Sequence, residues 1–285
     1  MSEPTVSSTA ALSRKIARER MSLRAATSFA VVFGYLGVFL IYAPIVWLGV
    51  MSVSERPRTG SAGPFTLKWY YMLFQEPKWL DPLGTSVGIA TIVAVLCMIL
   101  ATAVGRVLPQ LGRRHGWLLP IFLVSLFVPG VVLGVEFVMY YHLFLGLKTG
   151  LWSITLGHFV WAFPFALLSV LVVSTRFDYR LLEVASDLGA NPWERFWHIE
   201  YPLLLPGILT AGFFGFLLSF NELPRSIFLR GGETTLPIFT WAETAAHTTL
   251  VPLIYALSTI ITVVSILLVV LALYVLISNE AKMRA

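Results

Sequence analysis

The chain has 285 residues, 57% of them hydrophobic and 12% charged, with a formal charge of +5. A soluble domain of this size carries about twice that charged fraction, so composition places the chain in a membrane. One cysteine, Cys97, excludes an internal disulfide and a cysteine-based metal site, and the positive balance fits Lys and Arg held on one side of a bilayer rather than nucleic-acid binding.

Residues 1–9 are Ser/Thr-rich without periodicity and read as a disordered tail, the start of a cytoplasmic segment over 1–27. A crossing helix needs about 20 apolar residues. Six stretches meet this: 29–53, 84–105, 117–141, 151–173, 204–222 and 252–277. The fold class is therefore all-α, one six-helix transmembrane domain over 28–278 with a short tail at 279–285. The first stretch is too long for a signal-peptide core and is expected to remain as an anchor. Pro44, Pro129 and Pro164 lie within spans, where they kink a helix for packing.

With both termini inside, the inner segments hold Arg14, Lys15, Arg18, Arg20, Arg24, Arg106, Arg113, Arg114, Arg176, Arg180, Arg195, Lys282 and Arg284. The outer segments hold Arg56, Arg58, Lys68, Lys78, Lys148, Arg225 and Arg230. Thirteen against seven favours this topology. The outer loop 54–83 opens with the turn-rich SERPRTGSAGP, a tight connection falls at Gly146–Gly150, and a short helix is expected near Trp241–Ala246.

The least apolar stretch is LLEVASDLGANPWERFWHIEYP, 181–202, inside an inner loop spanning about 174–203. Asp178 can cap a helix whose apolar positions Leu181, Leu182, Ala185 and Leu188 recur at helical spacing. Gly189 is a stop. Asn191, Pro192 and Glu194 form a capping-box restart, and Pro202 and Pro206 limit or re-aim the chain entering span 5. Small residues Ala185, Gly189 and Ala190 would let a partner approach the backbone. Pattern alone permits two readings: an amphipathic loop resting on headgroups, with Trp193, Phe196 and Trp197 at the interface, or a docking element.

EVASDLG at 183–189, nine residues, then IEYP at 199–202 resembles the EAA motif of the membrane subunits of ATP-binding-cassette (type I) importers. Glu183, Ala185, Gly189, Ile199 and Pro202 match, while Val184 and Tyr201 replace the motif's alanine and leucine. LLSFNELPRSIFLRGGETTLPIFTW, 217–241, resembles the spermidine/putrescine-type permeases, whose relatives also carry opines and phosphonates. The resemblance implies that residues 183–191 form a coupling helix seated in a cytoplasmic ATPase, with Glu183, Ser186, Asp187 and Asn191 contributing polar groups and Gly189 the turn. It implies an ATPase dimer carrying ATP and Mg, a second permease and an extracytoplasmic solute-binding protein. It also implies residence in a bacterial inner membrane and no cofactor on this chain. The chain itself lacks a GxxxxGK[ST] loop, so it is not the ATPase and is expected not to be an enzyme.

Gly207, Ala211, Gly215 and Ser219 form a four-residue ladder on span 5, repeated by Gly130 and Gly134 on span 3, for close packing against this chain or a second permease. Glu136 and Glu222 lie near outer ends of spans, where ionisable residues are expensive. Glu222 with Asn221 is read as lining a path for a cationic solute, against an alternative in which Glu222 pairs with Arg225. Five scattered histidines make no HExxH pair, and GSAG at 60–63 is a loop turn. An ion-gradient-driven secondary transporter is the competing function; it gives no account of the 183–202 loop.

Overall fold

The computed structural model describes residues 6–75, 77–112, 116–246 and 250–284. Residues 1–5 of the expected tail, Arg113 and Arg114 of the charge balance, and His115 and His247 lie outside the described residues. Among the described residues the structure is helical, relieved by an isolated bridge between Ser54 and Phe65. Lipid offers no partner to a backbone N–H or C=O, so a crossing chain satisfies them within each helix.

Helix α1 runs Val6–Ser52 and so begins inside the stretch expected as a tail. Pro44 sits within it. The loop after α1 carries α2 (Lys68–Gln75), tied back by Trp69 Nε1–H to Ser54 O at 2.7 Å and by a 2.7 Å bond between Ser52 Oγ and Tyr70 OH. Helix α3 (Leu80–Val107) is span 2. Span 3 departs from the sequence reading. Helix α4 (Leu118–Leu123) and α5 (Gly130–Met139) belong to two helical stretches bent by 101° at the break around Pro129, so the chain turns where one continuous helix was expected. Pro129 takes an extended backbone and cannot continue a helix through its missing N–H, and α5 restarts at Gly130.

Helix α6 (Leu151–Ser174) is straight enough to keep Pro164 inside. The polar loop supplies α7 (Arg180–Asp187) and α8 (Pro192–Arg195), and a π-turn at Phe196–Glu200 joins α8 to α9 (Tyr201–Phe220). Span 5 is therefore not a helix opening at 204: helical structure is unbroken from Pro192 to Phe220. Pro202, which has no N–H to donate, lies directly after the π-turn, where the regular bonding pattern is already interrupted. Beyond it lie α10 (Ser226–Leu229), α11 (Leu236–Ala245) and α12 (Val251–Arg284). The short helix expected at Trp241 starts earlier, at Leu236.

Helices α3, α6 and α9 pack together as the centre of the bundle, while α12 gathers α1, α2 and α11 around a second cluster at Leu73, Leu236, Leu253 and Leu257. The ladder on α9 faces helices of this chain. A Cβ added at Gly207 would stand 3.1 Å from Ser169 O and Val170 Cα of α6; one at Gly215 would stand 2.9 Å from Ala94 Cα of α3. Ala211 between them is fully buried. Because apolar lipid gives helices no hydrophobic reason to associate, this backbone approach supplies much of the contact. Replacing Gly215 with leucine is expected to cost about 1–3 kcal/mol through overpacking. Thermal unfolding in detergent should show a lowered midpoint, while Gly88→Ala on the same bundle, with nothing within 4 Å of the new Cβ, should not.

Candidate functional site: a self-capped loop and a buried polar network

At one end of the bundle the polar loop is rigid by its own hydrogen bonds. Asp178 Oδ1 accepts from the Arg180 N–H at 3.0 Å, opening α7. Gly189 closes it at φ +89, where glycine alone among common residues carries no Cβ penalty; its N–H donates to Ser186 O and that of Ala190 to Ala185 O, both at 2.9 Å. Asn191 Oδ1 then accepts from the N–H groups of Trp193 and Glu194 at 3.0 Å, while Glu194 Oε2 accepts from Asn191 N–H at 2.8 Å. That is a complete capping box, and it fixes the start of the second helix.

What this rigid element presents is partly polar and partly apolar. Glu183, Ser186, Asp187, Gly189 and Asn191 are exposed, and Ala185 and Ala190 are half-buried. Sequence reasoning used Leu181 and Leu188 only as periodicity markers, yet they stand exposed with Val184, Leu188 at 83%. Three aliphatic side chains on one exposed helical face form a surface suited to a partner. The signal was legible: positions 181, 184 and 188 share a helical face on a helix too short to need all three inward.

The loop is also clamped to the bundle. Glu200, 5% exposed, accepts from Arg106 Nη2 of α3 at 2.6 Å, and the Arg106 guanidinium lies 4.7 Å from the Phe196 ring centroid. Beside them, Ser174 Oγ donates to Gly105 O at 2.8 Å, joining the end of α6 to α3. Burial, with Glu200 nearby, raises the Tyr179 phenol above its usual range, so it stays a neutral donor over this junction.

The opposite end of the bundle holds a buried polar network. Glu222 and Arg225 are 6% and 3% exposed. Arg225 Nη1 donates to Glu222 Oε1 at 2.8 Å and its backbone N–H to the same oxygen at 3.1 Å; the guanidinium lies 4.3 Å from the Trp161 ring centroid. Gly130 and Gly134 make the room: a Cβ at either would come within 2.9 Å of Arg225 Nη1 or Phe228. Ser226 Oγ donates to Glu222 O at 2.7 Å, so it accepts from His158 Nε2–H at 2.7 Å. The other ring nitrogen, Nδ1, lies 2.8 Å from Ser219 Oγ, so the ring bridges Ser226 and Ser219.

Glu222 pairs with Arg225, the alternative that the sequence left open. One expectation is corrected: Arg225, counted with the outer aqueous charges, is buried in the bundle. Asn221 is exposed and lines a cavity of about 500 Å³ with Phe220, Thr240, Trp241, Ser258 and Thr262, whose walls carry hydroxyls, an amide and aromatic rings. Glu136 on α5, the less favoured acid in the sequence, is the one left exposed.

The family profile described as "Binding-protein-dependent transport system inner membrane component" matches residues 99–282, so the chain belongs to that family of type I ABC importer permease subunits. It is 30% identical over 258 residues to the spermidine/putrescine transport system permease protein PotC of Haemophilus influenzae, covering 89% of this chain and 96% of that one. It is 28% identical over 245 residues to the putrescine transport system permease protein PotI of Escherichia coli K12 (81% and 84%), and 28% over 214 to the putative 2-aminoethylphosphonate transport system permease protein PhnV of Salmonella paratyphi A (73% and 79%). A solved bacterial ABC transporter involved in import of the acidic polysaccharide alginate shares the fold, with TM-score 0.65, 15% identity, and coverage of 90% of this chain and 97% of that one. The chain is thus a multi-pass inner-membrane permease subunit whose ATPase is a separate polypeptide, and the ion-gradient carrier is set aside.

Removing one partner of the Glu222–Arg225 pair strands a buried charge, at an expected cost of about 3–5 kcal/mol. Arg225→Leu should therefore lower the unfolding midpoint in detergent sharply, and Glu222→Leu added to it should recover most of the loss.

Proposed function

We propose that this chain forms, with a second and different permease subunit, the path for a small amine-bearing solute of the spermidine/putrescine type. An extracytoplasmic binding protein delivers the solute, and an ATPase dimer carrying ATP and Mg drives its entry. Both termini lie on the cytoplasmic side, which puts the 183–191 helix where the ATPase is. The observation that carries the reading is the self-capped helix pair at 180–200, exposed at its tip and continuous with a membrane span. A rigid lever of this kind moves the bundle when its socket moves; a loop resting on headgroups would need neither the left-handed Gly189 nor the second cap. Leu188, Val184 and Leu181 enter the socket as apolar contacts, with Glu183, Ser186, Asp187 and Asn191 at its polar rim.

For the path, the cavity lined by Asn221 and Trp241 supplies hydrogen bonds and aromatic faces, and aromatic faces attract ammonium groups. Glu136, exposed on an apolar helix, supplies negative charge on a face the bundle leaves open, while Glu222 holds the wall in place through Arg225. The polyamine assignment draws on the names of the relatives and on this lining.

Arginine at residue 189 combines bulk with a left-handed backbone that L-residues resist. Gly189→Arg should abolish co-purification of the ATPase subunit and uptake in proteoliposomes; an assembled, active complex would end the docking role. Glu136→Gln should raise the spermidine concentration for half-maximal uptake about tenfold, equivalent to about 1.4 kcal/mol of lost attraction. Glu222→Gln should act instead through stability, and unchanged uptake in Glu136→Gln would remove the acid from the path.

A further inference from the structure

Docking moves a loop; transport requires that the movement reach the helices. Within this chain the loop is joined covalently to α6 through residues 175–179 and to α9 through the π-turn at Phe196–Glu200. Helix α3 has no such connection, since Arg106 and Glu200 are 94 residues apart. Yet α3 packs on both α6 and α9 and forms the third side of the central bundle. Its end must follow the loop or slide past it.

A part-buried ion pair stands at that junction. Glu200 is the last residue of the π-turn and is buried, so its carboxylate is costly to keep without a counter-charge. Arg106 Nη2 meets it at 2.6 Å, and the guanidinium is held from its other side by the Phe196 ring. Both loop residues, Phe196 and Glu200, lie in the same turn, so Arg106 is gripped at two places by one short piece of backbone. A charged pair buried on the loop side resists sliding more than apolar packing does, because separation would leave Glu200 unpaired.

We propose that the Arg106–Glu200 pair is the strut through which displacement of the docking loop is carried into α3, so that α3 and α9 move together. The proposal rests on the docking role of residues 183–191. Arg106 and Glu200 are positioning residues: they touch neither solute nor nucleotide.

The test uses the full complex of both permeases, ATPase and binding protein in proteoliposomes, reading solute moved per ATP hydrolysed. Arg106→Ala and Glu200→Gln should retain the ATPase subunit at wild-type stoichiometry and still hydrolyse ATP. Solute moved per ATP should fall about tenfold, within the range by which substitutions along a coupling element change coupling. The reversed pair, Arg106→Glu with Glu200→Arg, should recover part of the ratio. An unchanged ratio in the single variants overturns the strut, as does loss of ATPase binding in parallel with uptake, which would make the pair structural only. Gly189→Arg is the control. Full uptake in that variant overturns the docking reading beneath the proposal; lost uptake there, with a wild-type ratio in Arg106→Ala and Glu200→Gln, overturns the strut alone.

Discussion

Helices in a bilayer are surrounded by material as apolar as their own side chains, so they hold together through contacts lipid cannot match. Here those contacts are the close approach of α9 to α6 at Gly207 and to α3 at Gly215, where an added Cβ would stand 3.1 and 2.9 Å from backbone atoms, with Ala211 fully buried between them. The approach lets the three helices share one well-packed core at Cys97, Ala166, Val170 and Ala211. Everything functional is attached to that core: the polar loop at one end, through α9 itself and Arg106, and the Glu222–Arg225–His158 network at the other.

The two ends are built on different principles. The loop is solvated, since local caps satisfy its backbone and leave its outer face exposed. The opposite network is buried and built on an ion pair: Glu222 is tolerated because Arg225 is there, and Arg225 because Trp161 and two glycines on α5 accommodate it. His158 completes it as a bridge between α9 and α10. Such a network fixes the 219–229 segment where the chain leaves α9. That gives the neighbouring cavity at Asn221 a defined wall.

Much of this was legible in the sequence because its signals are local. Asn191, Pro192 and Glu194 announce a helix start by spacing alone, Gly189 a stop, and long apolar runs the spans. The 183–202 spacing carried the family. What escaped depends on pairs far apart along the chain. Nothing at Arg106 indicates that Glu200 lies against it, and the partners of Gly130 and Gly134 are set by where Arg225 and Phe228 arrive. The break at Pro129 was visible as a proline, but a 101° turn and a mild kink share the same letter. Likewise Glu222 was favoured over Glu136 because it lies in the permease-like stretch 217–241, whereas the structure buries Glu222 against Arg225 and leaves Glu136 exposed.

The central claim is that a stiff loop on the inner face engages a motor and carries the bundle with it. Site-specific labelling tests this most directly: Cys97 is buried, so a cysteine introduced at Leu188 provides the reactive thiol. A membrane-impermeant maleimide should label it in inside-out vesicles stripped of ATPase and not in right-side-out vesicles, and adding back the ATPase subunit should block the reaction. Labelling from the outer face, or full labelling with the ATPase bound, would contradict the account.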